Sequence, residues 1–279
     1  MMRIKTSLSN QMDGIRKAGI VCCSNGITSQ AAEEIQQMSK ALVQTGIELV
    51  FSPCLYAIDG VRSGSAQQRA DCLMQFYTDP NIDAIFDISG GDIANEIVPY
   101  LDYRVIMQNP KTFWGYSDLT VLLNAIYAMT GNSGVLYQMR FFQPEKRSSL
   151  FDLSYRFVQG TRMSGIVIGG NIRCFLKLAG TKYFPCLKNK ILLLEARSGL
   201  QPQLITYLSQ LQQLGVFEQV NGILLGTFTQ LEQSGQRDTV VQLVQQFVGT
   251  KIPIAKTNEI GHAADAKAII IGSGLKLGV

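Results

Sequence analysis

The sequence offers little for metal or redox chemistry. It has a single histidine, His262, and no C-x-x-C pair among its six cysteines. A metal centre built on imidazoles has almost no ligands to draw on. Cys22, Cys23, Cys54, Cys72, Cys174 and Cys186 read as free thiols of a reducing compartment rather than as disulfides, several of them in apolar runs. Charge is also scarce. Charged residues make up 16% of the chain and the formal net charge is only +4, with lysine and arginine scattered. That pattern argues against a nucleic-acid partner. No segment approaches the ~20 consecutive apolar residues of a membrane span, and charges interrupt the first twenty residues. The expectation is a soluble, cytoplasmic protein without a membrane partner. Neither G-x-G-x-x-G nor G-x-x-x-x-G-K-[ST] occurs, so no dinucleotide or P-loop cofactor is expected.

What the 279 residues do contain is apolar material, 46% of the total, enough for one large domain or two modest ones. The first half alternates strand-like and helix-like segments. "AGIVCC" ends at the turn Ser24-Asn25-Gly26, and "SQAAEEIQQMSKALVQTG" spaces Ile35, Met38 and Leu42 as a helix does, with Ser29 as its cap and Gly46 as its stop. "IELVFS", "AIFDIS" and "TFWGY" are further strands. They are separated by a helix over Ser65 to Tyr77 and by another starting near Asp92. Strands spaced by helices imply a parallel sheet with right-handed crossovers.

Residues 143–164 mix charge, serine and isolated aromatics without a period, and read as a linker or long loop. Beyond them "SGIVIGGN", "KILLLEA" and "VNGILLGTF" are strands, "QPQLITYLSQLQQLG" and "TVVQLVQQFVG" are helices, and "AIIIGSGLKLGV" is a terminal strand pair. The organisation expected is an α/β domain over 1–142, a linker, and a second α/β domain over 165–279.

In an open parallel sheet, ligands sit beyond the carboxyl ends of the strands. Two such ends, "DISGGD" and "FWGYSD", pass from strand to helix, where backbone N–H groups and positive dipole ends converge. Ser117 there has two readings: an ordinary helix cap, or a nucleophile raised on a corner like that of the G-x-S-x-G elbow, although the second glycine is absent. A nucleophilic serine needs a base and the base an orienting group. The one histidine, His262, follows Gly261 in a polar loop. Glu195 ends an apolar strand, and Arg197 or Lys190 are its alternative partners.

Together these segments resemble the LD-carboxypeptidase family of serine peptidases, which includes murein tetrapeptide carboxypeptidases and microcin C self-immunity proteins. "RADCLMQFYTDPNIDAIFDISGGDIANEIVPYLDY" and "NPKTFWGYSDLTVLLNAIYAMTG" carry the likeness in the first half. "GGNIRCFLKLAGTKYFP", "KILLLEA", "LQQLGVFEQVNGILLGTF" and "IGHAADAK" carry it, in order, through the second. The resemblance implies a Rossmann-like N-terminal domain and a swivelling C-terminal domain. It implies Ser117 as nucleophile, His262 as general base and Glu195 as the group orienting the imidazole. The backbone N–H groups of Gly91 and Asp118 would form the oxyanion hole. It also implies metal-independent chemistry, a small peptide substrate and a homodimer.

Two positions depart from the family's pattern. Ser89 stands where many members carry arginine before the glycine pair, and "GVLYQMRFF" replaces a His-Gly-Pro segment. Arg140 is the candidate cation for a substrate carboxylate. Alternatives remain: an immunity-type amidase acting on aminoacyl-nucleotides, with Phe151, Tyr155 and Phe157 as a platform for a base, or a non-catalytic ligand-binding protein.

Overall fold

Short apolar runs separated by amphipathic segments fold as parallel strands with helical crossovers. The computed structural model describes residues 2–4 and 11–278. Its strands are β1 (Met2–Ile4), β2 (Lys17–Val21), β3 (Glu48–Phe51), β4 (Ala84–Asp87), β5 (Thr112–Gly115), β6 (Gly134–Leu136), β7 (Leu153–Gln159), β8 (Met163–Asn171), β9 (Lys190–Ala196), β10 (Gly222–Phe228), β11 (Ile254–Lys256), β12 (Ile269–Ile271) and β13 (Gly274–Leu277). The helices are α1 (Ala32–Gln44), α2 (Ala66–Thr78), α3 (Tyr103–Gln108), α4 (Thr120–Thr130), α5 (Ile172–Leu176), α6 (Gln201–Gln213), α7 (Thr229–Gln233) and α8 (Arg237–Val248).

The strands form two sheets. One has the order β12-β6-β5-β4-β2-β3, parallel except for β12. The other runs β1-β7-β11-β10-β9-β8-β13, with a parallel centre from β11 to β8 and antiparallel flanks. This is the α/β architecture read from the sequence. The segments expected as strands before Tyr116 are β2 to β5. The apolar stripe Ile35, Met38 and Leu42 of α1 is buried, as is the stripe Leu204, Leu208 and Leu211 of α6. None of the helices among the described residues is long and apolar enough to cross a membrane.

Several expectations change. Residues 143–164 are not a plain linker: they hold a 3-10 stretch, Pro144–Ser149, and the whole of β7. Leu153 and Tyr155 alternate inward there, so the segment is an ordinary strand whose polar outer face hid its period. Ser29 caps nothing; it opens a 3-10 turn ahead of α1. After Asp92 come two 3-10 turns, Ala94–Glu96 and Val98–Tyr100, before α3, which Asp102 caps through the N–H groups of Arg104 and Val105. The terminal strand pair is split between the sheets: β12 joins the N-terminal sheet and β13 the C-terminal one. The first described strand, β1, likewise pairs in the sheet of the C-terminal half.

The two halves meet along α4. Asn124, fully buried, receives the N–H of Gly169 at 2.8 Å and donates to its carbonyl at 2.9 Å. One turn earlier, Thr120 Oγ1 accepts the N–H of Asn171 at 3.0 Å. These bonds pair backbone groups at the end of β8 with polar side chains rather than leaving them unpaired in an apolar junction. They dock α4, which begins at the Ser117 corner, onto the strand leading into α5.

Candidate active site

Ser117 sits where β5 and Tyr116 pass into a 3-10 turn that runs on as α4. Its φ is +54°, in the left-handed region, which costs a non-glycine residue of order 1–3 kcal/mol. Its hydroxyl makes no hydrogen bond among the described residues. The corner is therefore a strained one that holds the serine up rather than one that uses its hydroxyl to start a helix. Ser117 lines an open cavity of about 240 Å³ together with Asn25, Ser89, Gly91, Arg140, Arg197 and His262.

His262 arrives from the C-terminal half on the loop after β11. Gly261 before it, at φ +153°, has no room for a side chain, because an added Cβ would lie 1.8 Å from Thr227 Oγ1. That close approach brings the imidazole against Glu195, which is fully buried at the end of β9. His262 Nδ1 lies 2.8 Å from Glu195 Oε2. The contact is short but not aligned as a hydrogen bond, and both Glu195 oxygens and both imidazole nitrogens lack a hydrogen-bonded partner. His262 Nε2 is thus unoccupied by Ser117 Oγ in this state. Catalytic hydrogen bonds are often long or misaligned without substrate and tighten in the complex. Lys190, an alternative partner for Glu195 in the sequence, donates instead to the Tyr127 hydroxyl at 2.7 Å. Tyr116 closes the back of the imidazole, its ring 4.5 Å from that of His262 and its hydroxyl donating to Gly261 O at 3.2 Å.

Gly91 has φ +131°, and an added Cβ would meet Asn25 Oδ1 at 2.1 Å, so only glycine fits. Asn25 also binds the loop on both sides, accepting the N–H of Asp92 at 2.9 Å and donating its own N–H to Gly90 O at 3.2 Å. The backbone N–H groups of Gly91 and Asp118 have no hydrogen-bond partner among the described residues. The Asp118 carboxylate points away from the cavity into the interior, where it is fully buried and accepts from Ser24 Oγ at 2.7 Å and Ala94 N at 2.8 Å.

Ser89 is spent on structure: its Oγ donates to Asp87 Oδ1 at 2.6 Å and accepts from Ser24 N at 3.0 Å. Arg140 does face the cavity. Its one ion pair among the described residues, with Glu34, is long at 3.4 Å, and its Nε is buried without a partner. The aromatic platform is not there. Phe151 and Tyr155 are buried, Phe151 packing on Trp114 at 6.0 Å, and Phe157 stands edge-on to Tyr155 at 5.8 Å along β7. None of the described residues forms a cluster of three His, Cys, Asp or Glu fit to hold a metal ion.

The N-terminal domain of the LD-carboxypeptidase family matches residues 18–138, and that family's C-terminal domain matches residues 164–277. The chain belongs to the LD-carboxypeptidase family. Its relatives in that family include the murein tetrapeptide carboxypeptidase of Pseudomonas aeruginosa, 25% identical over 74% of this chain and 76% of its own. The microcin C7 self-immunity protein MccF of Escherichia coli is 25% identical over 85% of this chain and 83% of its own. A solved MccF in complex with glutamyl sulfamoyl guanosine has the same fold, with a TM-score of 0.87 at 22% identity, covering 94% of this chain and 92% of the other.

Three cavity neighbours have no site role in the sequence reading. In the sequence Asn25 is a turn residue, Arg197 an alternative partner of Glu195, and Tyr116 a member of the "FWGYSD" corner. A second cavity of about 650 Å³ adjoins the first, sharing Gln138, Arg140, Arg197 and His262 and adding Glu34, Gln230 and Gln233. Its lining is polar and carries two guanidinium groups.

Proposed function

We propose that the protein is a serine LD-carboxypeptidase that releases terminal D-alanine from murein tetrapeptide in cell-wall recycling, in the cytoplasm and as a homodimer. Ser117 is the nucleophile, His262 the general base and Glu195 the group that orients it. The observation that carries this reading is the strained Ser117 corner, sharing one cavity with a histidine that lies against a fully buried glutamate. Strain of this kind gathers at active sites, ligand clamps and switches, and here the cavity it faces also holds a histidine set against a buried glutamate, which favours a nucleophile over a cap.

In the reaction, His262 Nε2 removes the Ser117 hydroxyl proton as Oγ attacks the carbonyl of the penultimate residue. The oxyanion that forms is held by the N–H groups of Gly91 and Asp118, donors that are preorganised and otherwise unpaired. Loss of one such donor costs about 3–4 kcal/mol in comparable sites. The C–N bond breaks as the imidazolium gives its proton to the leaving amine of D-alanine. Water, deprotonated by the same histidine, then hydrolyses the acyl-enzyme. Glu195 stabilises the imidazolium by its charge at 2.8 Å. Arg140 receives the free carboxylate of the substrate, which supplies the partner that its buried Nε lacks.

Incubation with murein tetrapeptide tests the reading. D-alanine is released by the wild type and not by Ser117→Ala. Absence of release, with cleavage of an aminoacyl-adenylate analogue instead, would move the substrate to that of an immunity-type amidase and keep the triad. The buried positions of Phe151 and Tyr155 weigh against that second substrate.

A further inference from the structure

The proposed oxyanion donors come from two separate loops of the N-terminal half, and one helix of the C-terminal half ties them together. Lys177, immediately after α5, donates its Nζ to Asp118 Oδ1 at 2.5 Å and to the carbonyl of Asp92 at 2.8 Å. One turn earlier, Arg173 pairs with the Asp92 carboxylate and reaches Gly91 O at 3.5 Å. Asp118 in turn accepts the N–H of Ala94. The segment from Gly91 to Ala94 and the Ser117–Asp118 corner are thus cross-linked through one carboxylate and one ammonium.

Asp118 is fully buried, so its charge requires compensation, and among the described residues Lys177 supplies the one cation bonded to it. An oxyanion hole works only if its donors are fixed before charge develops. Here the geometry that fixes them includes a residue that touches neither substrate nor nucleophile.

We propose that Lys177 is a positioning residue that sets the oxyanion hole from the C-terminal half, by locking the Asp118 carboxylate and the Asp92 carbonyl into one arrangement. The inference rests on the assignment of the Gly91 and Asp118 N–H groups as oxyanion donors. Its consequence is that the two halves must be docked along α5 for the hole to be formed, so the N-terminal half holds the nucleophile but not by itself a working site.

The test compares wild type, Lys177→Met and Lys177→Arg in two assays: D-alanine release from murein tetrapeptide, and the rate at which a fluorophosphonate labels Ser117. In labelling, the Ser117 O–P bond forms, the hydroxyl proton passes to His262, fluoride leaves, and the phosphoryl oxygen occupies the same hole. Displacing a donor by about 1 Å costs on the order of 100-fold. The expectation for Lys177→Met is a fall of about 30- to 100-fold in kcat and in labelling rate, with KM within about threefold, and recovery to within about fivefold in Lys177→Arg. Lys177→Met leaves Asp118 as a buried unpaired charge, so Lys177→Met/Asp118→Asn serves where the single variant does not fold. That double variant keeps the backbone donor, removes the stranded charge, and is expected to fold and stay slow. Wild-type labelling speed in a folded Lys177→Met or double variant would overturn the inference and leave the triad standing. Labelling of wild type without D-alanine release would fail the carboxypeptidase reading, while the labelling rates still decide the role of Lys177. A wild type that takes no label removes both.

Discussion

The hydroxyl of Tyr116 donates to the carbonyl oxygen of Gly261 at 3.2 Å, while its ring stands 4.5 Å from the imidazole of His262. The residue before the serine thus holds the residue before the histidine, across the junction of the two halves. Burial first, and then the charge of Glu195, push the phenol well above its ordinary range, so it stays a donor at any working pH. Tyr116→Phe keeps the packing and removes the bond. We expect a loss of about 1 kcal/mol in stability by urea denaturation. A fall of roughly tenfold in kcat for D-alanine release is expected as the histidine loop loosens.

Glu195→Gln tests the orienting carboxylate. The Glu195 carboxylate lies against the imidazole at 2.8 Å, and the amide removes its charge with little change of volume. A fall of about 10³- to 10⁴-fold in kcat is expected, as for other triads in which the carboxylate becomes an amide. The measurement is D-alanine release under saturating peptide, with folding confirmed by circular dichroism.

Gly91→Ala tests the glycine corner. A methyl group would collide with Asn25, and the positive φ disfavours any side chain. The loop must shift and carry its N–H with it. We expect a loss of about 10²- to 10³-fold in kcat, with a stability loss of about 1–3 kcal/mol. Asn25→Ala/Gly91→Ala removes the Oδ1 and Cγ contacts but leaves the Asn25 Cβ 2.8 Å from the new methyl group, and is expected to regain only part of the stability and none of the rate.

Asp87 gives a pH dependence. It is buried at the end of β4, and burial raises its carboxyl above the ordinary range although Ser89 and the N–H of Cys23 donate to it. A folded value above the unfolded one means that its stabilising contribution is complete below the unfolded pKa, near about 4. That contribution is lost as pH rises through the folded value. The stability of wild type minus that of Asp87→Asn is therefore expected to be largest near pH 4 and to shrink toward pH 7, measured by urea denaturation at fixed ionic strength. A difference that grows with pH contradicts the shift.

The parallel strands and their crossovers were legible because each apolar run ended at a glycine or polar turn, as β4 does at Ser89-Gly90-Gly91. β7 was not, because Ser154 and Arg156 on its outer face broke the apolar run into single residues. Periodicity also cannot tell to which sheet a strand belongs. β12 and β13 are separated only by Gly272 and Ser273, yet they lie in different sheets. In the site, the motif residues Ser117, Gly91 and His262 stood out by their neighbours in sequence. Arg140 was a single basic residue in an aromatic run, and the cavity wall places it. Lys177 could not be found, since its partner Asp118 lies 59 residues away on another element. Tyr155 left the platform for the same reason that β7 was missed, since alternating residues of a strand face inward, while Phe151, two residues before β7, packs on Trp114.

The most direct measurement is mass spectrometry of the protein after reaction with a fluorophosphonate. The account predicts one adduct, on Ser117, absent in Ser117→Ala and formed at least about 10³-fold more slowly in His262→Ala. No adduct, or an adduct that survives Ser117→Ala, would contradict it.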